Sequence, residues 1–144
     1  MPPTLQITLD CADPHATANF WSQALGYELV QDPAFVQAMV DQGFATDDDV
    51  MVVDGVLSWR TGAAMTDPDG TRPRWFFQQV PEPKAGKNRM HLDIHLAPSD
   101  DRAAEVARLE SLGASRLYDA SQGQHTWVTM ADSEGNEFCV GGGA

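Results

Sequence analysis

The same order of secondary-structure signals occurs twice along the chain, and this repetition limits the folds that the chain can adopt. In each half an alternating strand leads into a helix that ends at a glycine, Gly26 or Gly113. Shorter strands follow, and near the end of each half lies a turn that begins with an aspartate, Asp67 or Asp132. Each half is therefore predicted to be a βαβββ module, which cannot bury its sheet face alone. We expect an α+β fold in which two such modules pair around a central cavity.

Start and stop signals divide the first half into elements. Residues 5–10 alternate between apolar and polar side chains, as in a strand with one buried face. Asp13 and Pro14 suit an N-cap and a first helical position, and they predict a helix that ends before Gly26. The predicted strands are residues 5–10, 27–30, 50–53, 56–60 and 74–80, with Asp54-Gly55 as a hairpin turn and a solvated loop over residues 32–49.

A stretch rich in proline, lysine and glycine, residues 81–88, is the predicted linker between the halves. We expect one domain over residues 1–144, made of module one at about residues 1–80 and module two at about residues 89–144. The helix of module two is predicted to begin after Ser99 or Asp100 as N-cap. The predicted strands of module two are residues 90–96, 117–118, 125–130 and 138–140.

The charge balance limits the partners of the chain. Acidic residues outnumber basic ones by 21 to 9, which gives a formal net charge of −12 at pH 7. Such a surface repels phosphate backbones and anionic lipid, so we expect no nucleic-acid partner and no membrane partner. The two cysteines, Cys11 and Cys139, lack the spacing of a metal motif and are expected as reduced thiols. Without a leader peptide or a long apolar run, the chain is expected to be cytoplasmic.

Three stretches carry a resemblance to a known family: residues 13–26 with their Phe20-Trp21 pair, residues 80–93, and residues 132–138. They resemble the vicinal oxygen chelate superfamily, and most of all its glyoxalase-like subgroup; the superfamily includes glyoxalase I, bleomycin-resistance proteins, fosfomycin-resistance proteins and extradiol dioxygenases. The resemblance implies two βαβββ modules whose sheets curl around one cavity. In metal-dependent members the ligands lie on the first and last strand of each module. The corresponding positions here are Gln6, Gln78, His91, and Glu137 or Cys139.

Strand alternation supports a polar cavity independently of the family. Leu92, Ile94 and Leu96 share one face of their strand, so the residues between them share the other. The same reasoning applies to the first strand and the last strand. The predicted cavity and ligand-binding residues, including two strand tryptophans, are Gln6, Thr8, Gln78, His91, Asp93, Glu137, Cys139, Trp75 and Trp127.

The residues at the family's ligand positions favour a site without an obligatory metal. Gln6 and Gln78 offer neutral amide oxygens, which compete poorly with water for a divalent cation. Cys139 stands where metal-dependent relatives place the final glutamate. If a divalent metal is bound, the expected ligands are Gln6, Gln78, His91 and Glu137. The row His91, Asp93 and His95 is a second arrangement for a metal. The favoured interpretation is that His95 and Asp93 form hydrogen bonds to strand neighbours or face an exposed end of the sheet.

Three functions remain open. The leading hypothesis is a protein that binds a small organic molecule in the inter-module cavity without an obligatory metal, as antibiotic-binding resistance relatives do. The first alternative is an enzyme, a metal-dependent lyase, isomerase or dioxygenase that acts on a substrate with vicinal oxygens. The second is a homodimeric interaction module without a small-molecule ligand. A homodimer is expected in each case, formed by packing of whole chains or by exchange of modules.

Overall fold

Both predicted modules are present as four-stranded sheets. The computed structural model describes residues 1–144, and the chain divides into two compact units, Met1–Pro83 and Lys84–Ala144. The boundary between the units lies within the predicted linker, residues 81–88. The α+β class and the two sheet modules are thus confirmed. The sharing of one cavity by the two modules stays a prediction.

The first unit contains two α-helices, a four-stranded sheet and a separate hairpin. Its sheet has the order β1-β6-β5-β2, with β1 parallel to β6 and the other pairs antiparallel. The elements are β1 (Gln6–Cys11), α1 (Pro14–Leu25), β2 (Glu28–Leu29), α2 (Pro33–Asp41), β3 (Val50–Val53), β4 (Val56–Trp59), β5 (Gly62–Thr66) and β6 (Arg74–Gln79), with a 3-10 turn at Asp47–Asp49 before β3.

Helix α1 begins and ends where the sequence signals predict. The Asp13 side chain accepts a hydrogen bond from the Ala16 amide at 3.1 Å, which satisfies one of the unpaired donors of the first turn. Gly26 adopts a left-handed conformation with φ of 69°, the conformation that ends many helices. The hairpin of β3 and β4 is also confirmed, with positive φ at both turn residues, Asp54 (48°) and Gly55 (81°).

Two elements of the first unit contradict the sequence prediction. The expected loop over residues 32–49 contains α2, whose N-cap Asp32 accepts a hydrogen bond from the Phe35 amide at 3.0 Å. Val36 is the one buried side chain of α2, so this helix makes few core contacts. Strand β5 was not predicted because its residues, Gly-Ala-Ala-Met-Thr, have low strand propensity apart from Thr66. The pair Asp32-Pro33 is thus a local signal for α2 that the sequence prediction did not use, whereas β5 has no comparable local signal.

Aromatic side chains form the core of the first unit. Trp21 on α1 packs against Trp75 on β6 with ring centroids 5.5 Å apart, and Trp75 lies 5.9 Å from Phe77. Trp21, Phe77 and Met65 are at most 1% exposed. The core therefore fixes α1 against one face of the sheet and leaves the opposite face of β1 and β6 for polar residues.

The second unit has one helix on a four-stranded sheet in the order β7-β10-β9-β8. Leu109, Met130, Phe138 and Val140 are fully buried and form its core. The elements are β7 (Leu92–Leu96), α3 (Arg102–Ser111), β8 (Ser115–Gln122), β9 (His125–Ala131) and β10 (Glu137–Gly142). None of the helices in the chain has the length and apolar character of a membrane span.

Helix α3 and strand β8 differ from their predicted bounds. The N-cap of α3 is Asp101, which accepts from the Ala104 amide at 3.0 Å, rather than Ser99 or Asp100. Asp100 instead accepts from the Ala97 amide at 2.9 Å and so shapes the preceding turn. Strand β8 is eight residues long, whereas only residues 117–118 were predicted, because most of its side chains are exposed and its apolar alternation is weak.

Both predicted aspartate turns are present, and the two turns are stabilised in the same way. Asp67 accepts hydrogen bonds from the amides of Thr71 and Arg72, and its carboxylate pairs with the Arg72 guanidinium at 2.8 Å. Asp132 accepts from the amides of Glu134 and Asn136, each at 2.9 Å. Both aspartates are buried, so each module folds its final turn around one hydrogen-bonded carboxylate.

Candidate functional site

Three strands of the second unit place polar side chains on one face of the sheet. Cys139 on β10 lies opposite Asp93 on β7 and opposite Thr129 on β9. Directly paired residues project to the same side of a sheet, so these three side chains share a face. The buried side chains of Phe138 and Val140 alternate with Cys139 and occupy the other face, against the core. The strand pairing thus produces a sheet with one polar face, whose opposite face is covered by the core.

This face forms a pocket with a volume of about 390 Å³. The pocket brings together five of the nine predicted site residues: His91, Asp93, Glu137, Cys139 and Trp127. His95, which alternation places on the same face as Asp93, also lines it. The sequence-based site omitted several further lining residues, namely Lys87, Tyr118, Gln122, His125 and Thr129. Tyr118 and Gln122 were missed because most of β8 was missed; the alternation of β9 was the signal that could have identified His125 and Thr129.

A compact cluster of side chains lies in this pocket. One possible ligand atom each from His91, Asp93 and Cys139 lie within 4.8 Å of one another. The His91 Nδ1 atom is 3.1 Å from an Asp93 carboxylate oxygen, and the Thr129 hydroxyl is 3.7 Å from the Cys139 sulfur. Asp93 thus has a partner on its own strand face, whereas the prediction for His95 stays a prediction. His95 lines the same pocket but lies outside the cluster.

The Cys139 thiol is held in its protonated form. Partial burial is the main cause that raises its pKa, and the Asp93 carboxylate adds to the effect because a second negative charge beside it is unfavourable. A hydrogen bond from Thr129, second in size to burial, and the charge of Lys87 lower the pKa, but the balance of all these effects raises it. On its own, this thiol is therefore a poor nucleophile near neutral pH.

Glu137, the predicted charged ligand, is already paired. Its Oε1 accepts from the Lys84 ammonium at 3.0 Å, and its Oε2 accepts from the Asn88 amide at 2.9 Å. The amide of Asn88 is the main cause that lowers the pKa of the Glu137 carboxyl, with Lys84 contributing. Glu137 thereby anchors the segment that precedes β7, and both of its oxygens have partners.

The predicted residues of the first unit divide between two faces of its sheet. Gln6 and Thr8 lie on the polar face, where the Arg74 guanidinium donates to Gln6 Oε1 at 2.5 Å and the Gln6 amide donates to Thr8 Oγ1 at 3.3 Å. Gln78 is exposed and lies beside Asp10 in parallel register. Trp75 is only 3% exposed and packs in the core, which corrects its prediction as a cavity-lining residue. Its alternation with Phe76 places it on the α1 side.

The first unit has a pocket of its own, of about 360 Å³, that the sequence did not predict. Its lining combines apolar side chains with several polar ones, among them Asp32, Asp54 and Arg74. The residues include Leu29, Val30, Phe35, Leu57, Phe76 and Arg74. It was missed because α2 and β5, which supply much of its wall, were missed.

Comparison with known proteins identifies the family. The model of the glyoxalase-like domain matches residues 6–141, nearly the whole chain. This chain belongs to the glyoxalase-like domain family. The expected resemblance to the vicinal oxygen chelate superfamily is therefore confirmed for this glyoxalase-like protein. No sequence among the curated proteins matches it.

Solved structures similar to the glyoxalase-like protein share its fold at low identity. A glyoxalase/bleomycin resistance protein/dioxygenase family enzyme from Burkholderia phytofirmans PsJN has a TM-score of 0.62 and 11% identity, with 95% of each chain covered. The fosfomycin resistance protein FosX from Listeria monocytogenes, solved with Mn(II) and sulfate ion, has a TM-score of 0.64 and 12% identity over 100% of this chain and 92% of that chain. FosX from Mesorhizobium loti has a TM-score of 0.59 and 11% identity over 100% and 94% of the two chains.

Two of the four residues at the family's metal positions are already paired with a cation of this glyoxalase-like protein. At two of the four positions a cation of the protein already occupies the donor: Arg74 binds the Gln6 oxygen and Lys84 binds Glu137. A third position, Gln78, supplies only a neutral amide.

Proposed function

We propose that this glyoxalase-like protein binds a small organic molecule with an aromatic, neutral or cationic part, and that binding requires no metal at the family's ligand positions. The observation that carries the proposal is the pocket on the polar face of the second unit's sheet, beside Cys139. Its volume of about 390 Å³ falls within the range of about 300–1,000 Å³ that is common for ligand sites. Aromatic and polar side chains alternate around it, which suits a ligand that is partly apolar.

The aromatic side chains of the pocket provide surfaces on which a flat ligand can stack. Trp127 on β9 and Tyr118 on β8 both line it. Indole and phenol rings attract organic cations through their negative faces, more strongly where water is excluded. His95 and His125 add hydrogen-bonding groups to the same wall. The combination favours recognition of a flat ring that carries one or two polar atoms.

The charges around the pocket favour a cationic ligand over a strongly anionic one. Asp93 is half exposed at the pocket, and the whole chain carries a net charge of −12. Of the two lysines nearby, Lys84 pairs with Glu137, so Lys87 is the lysine that lines the pocket. A phosphonate or phosphate group would therefore meet one lysine within a negative field.

The remaining features are part of the same proposal. We infer that residues 1–144 act as one cytoplasmic domain, with residues 81–88 as its linker, and that Gln6, Thr8 and Gln78 contribute to the ligand-binding cavity from module one.

We also infer that the protein is a homodimer. Sedimentation equilibrium would test the dimer, because a monomer at micromolar concentration would contradict it.

The binding proposal is tested by titration with two dyes in the presence of a chelator. Ethidium, a flat aromatic cation, is expected to bind, and the sulfonated dye anilinonaphthalene sulfonate is expected to bind much more weakly. Replacing Trp127 with Leu should weaken ethidium binding about tenfold, since a stacked cation on an indole contributes about 1–2 kcal/mol. Trp59→Leu, on the other unit, is the matched control and should leave binding unchanged.

Two results would contradict the proposal. If ethidium binding were equal in the Trp127→Leu variant and the wild type, the pocket would not be the site. If a panel of cationic and neutral aromatic compounds bound only after a divalent metal was added, the metal-dependent lyase, isomerase or dioxygenase hypothesis would replace this one. Isothermal titration calorimetry with and without chelator separates the two results.

A further inference from the structure

We propose that the pocket of the first unit is a second ligand site, which takes an amphipathic monocarboxylate, that is, a carboxylate group on an apolar chain. All of its lining residues belong to Met1–Pro83, and none of Gln6, Thr8 and Gln78 lines it. The site is therefore distinct from the pocket beside Cys139 and from the family's metal positions. It goes beyond the proposed function, and neither proposal requires the other.

Large apolar side chains are left exposed around this pocket. Leu29 and Val30, at the end of β2, are 38% and 48% exposed, and Phe35 on α2 is 51% exposed. Leu57 on β4 and Phe76 on β6 line the same space. Its volume of about 360 Å³ lies within the range of about 300–1,000 Å³ that is common for ligand sites. An apolar chain in this space would remove these side chains from water, which is favourable.

Short side chains on β5 keep the pocket open. Ala64 pairs with Phe76 in the sheet, so Gly62, Ala64 and Phe76 project to the same face. A Cβ atom on Gly62 would lie 2.8 Å from the Cζ atom of Phe76, so the aromatic ring lies directly over this glycine. A larger residue at Gly62 would displace the ring. The pocket thus gives a physical reason for small residues in a strand whose composition is otherwise unfavourable.

Arg74 is positioned to bind the carboxylate of the ligand. It is the one lysine or arginine that lines the pocket. Its Nη1 donates to the neutral Gln6 oxygen at 2.5 Å, and it takes part in none of the ion pairs of the protein. A guanidinium has five N–H donors, and a carboxylate accepts two of them in parallel. Arg74 therefore carries a positive charge that no acidic side chain balances.

The two aspartates of the lining limit the ligand to a single negative charge. Asp32 caps α2 through the Phe35 amide, and the partial positive charge of the helix N-terminus offsets part of its charge. Asp54 is exposed in the hairpin turn, where water and salt screen it. One carboxylate is matched by the Arg74 guanidinium. A phosphate would bring a second negative charge into a chain of net charge −12, with no further cation to receive it.

The experiment compares octanoate with 1-octanol, which has the same chain and no charge. Isothermal titration calorimetry with the full chain, at ligand concentrations below those that form micelles, is expected to show binding of one octanoate per chain. Octanol should bind about tenfold more weakly, because it lacks the charge-assisted hydrogen bonds to Arg74. Circular dichroism checks that each variant described below is folded.

Arg74→Gln tests the contact with the carboxylate. It removes the charge but keeps a side chain that can form a hydrogen bond with Gln6. Octanoate binding should weaken about tenfold while octanol binding stays unchanged, so that the loss is assigned to the carboxylate alone. Arg89→Gln, the same substitution at an exposed arginine outside the pocket, is the matched control and should change neither affinity.

Phe35→Ala tests the apolar wall. It should weaken octanoate and octanol binding alike, by about fivefold, because the apolar area that the chain covers is smaller. Phe44 is 78% exposed and lies outside the pocket. Phe44→Ala is therefore the matched control, and it should leave both affinities at the wild-type value.

Three results would overturn the proposal: no octanoate binding by the wild type, equal losses of octanoate and octanol binding in Arg74→Gln, or a loss in Phe44→Ala as large as that in Phe35→Ala. Trp127→Leu should leave octanoate binding unchanged, and a loss in that variant would overturn the proposal by placing octanoate in the pocket beside Cys139. Ethidium binding does not depend on Arg74 or Phe35, so failure of this proposal is distinguishable from failure of the proposed function.

Discussion

Asp67 illustrates how a single buried carboxylate organises a turn. It accepts hydrogen bonds from two amides, the Thr71 hydroxyl and the Arg72 guanidinium. These interactions, first among them the one with the Arg72 side chain, hold the pKa of the Asp67 carboxyl far below its usual range. Arg72 in turn donates to the Leu25 carbonyl and lies over the Tyr27 ring, which links the turn to the end of α1.

We predict that Asp67→Asn lowers the stability of the protein in a pH-dependent way. Because the folded pKa is depressed, the stabilisation by Asp67 is complete above the unfolded pKa of about 4 and is lost as the pH falls through the folded value. The difference in the midpoint of urea unfolding between wild type and variant should therefore be largest near neutral pH and shrink in acid. A constant difference between about pH 7 and about pH 3 would contradict this interpretation.

The two cysteines should differ in reactivity. Cys139 is partly exposed with a raised pKa, whereas Cys11 is 5% exposed. We predict that iodoacetamide modifies Cys139 more slowly than free cysteine at neutral pH, with a rate that rises as the pH approaches the thiol pKa, and that it leaves Cys11 unmodified in the folded protein. Mass spectrometry of tryptic peptides measures both rates. Rapid modification of Cys139 at neutral pH would show that its thiolate is stabilised.

At the scale of elements, the two helices of the first unit share one start signal but differ in what they bury. Both begin with an Asp-Pro pair, Asp13-Pro14 and Asp32-Pro33, and both aspartates cap their helix. Helix α1 buries most of its inner face in the core, whereas α2 buries only Val36. The contribution of each helix to global stability should follow this difference.

We predict that Asp13→Ala lowers the global free energy of unfolding by about 1 kcal/mol, the usual value of an N-cap. Asp32→Ala should have a smaller global effect and should mainly increase local opening of α2, because few core contacts depend on it. Urea denaturation measures the first effect, and hydrogen exchange of the amides in α2 measures the second. Equal global losses in the two variants would show that α2 is part of the cooperative core.

The elements also show what the sequence could and could not predict. Capping residues and the Asp54-Gly55 turn are local signals, so α1 and the hairpin were predicted within one residue. Helix α2 carries the same Asp-Pro start signal, which the sequence prediction did not use, and β5 consists of residues with low strand propensity, so both were missed. At the site, alternation correctly placed His91, Asp93 and Cys139 on a polar face. The pairing of Gln6 with Arg74 and of Glu137 with Lys84 joins residues distant in sequence, which alternation cannot reveal.

At the scale of the whole molecule, the dominant feature is the charge of −12. Self-repulsion of this size destabilises a compact chain, and salt screens it. We predict that raising KCl from about 10 mM to about 150 mM increases the melting temperature. Differential scanning calorimetry at neutral pH tests this. The same salt increase should weaken ethidium binding, and stronger binding at high salt would argue against an electrostatic contribution.

The duplicated turn has an evolutionary consequence. Asp67 and Asp132 perform the same structural task in the two modules, yet the polar faces of the two sheets have diverged: one pairs Gln6 with Arg74, the other gathers His91, Asp93 and Cys139. A repeated module allows the two polar faces to differ in this way. Each module keeps the contacts that fold it, while the residues on its polar face can change independently of the other module. Substitutions on the polar face of one module therefore have little effect on folding. A new binding site can arise in one module while the other module keeps its own polar face.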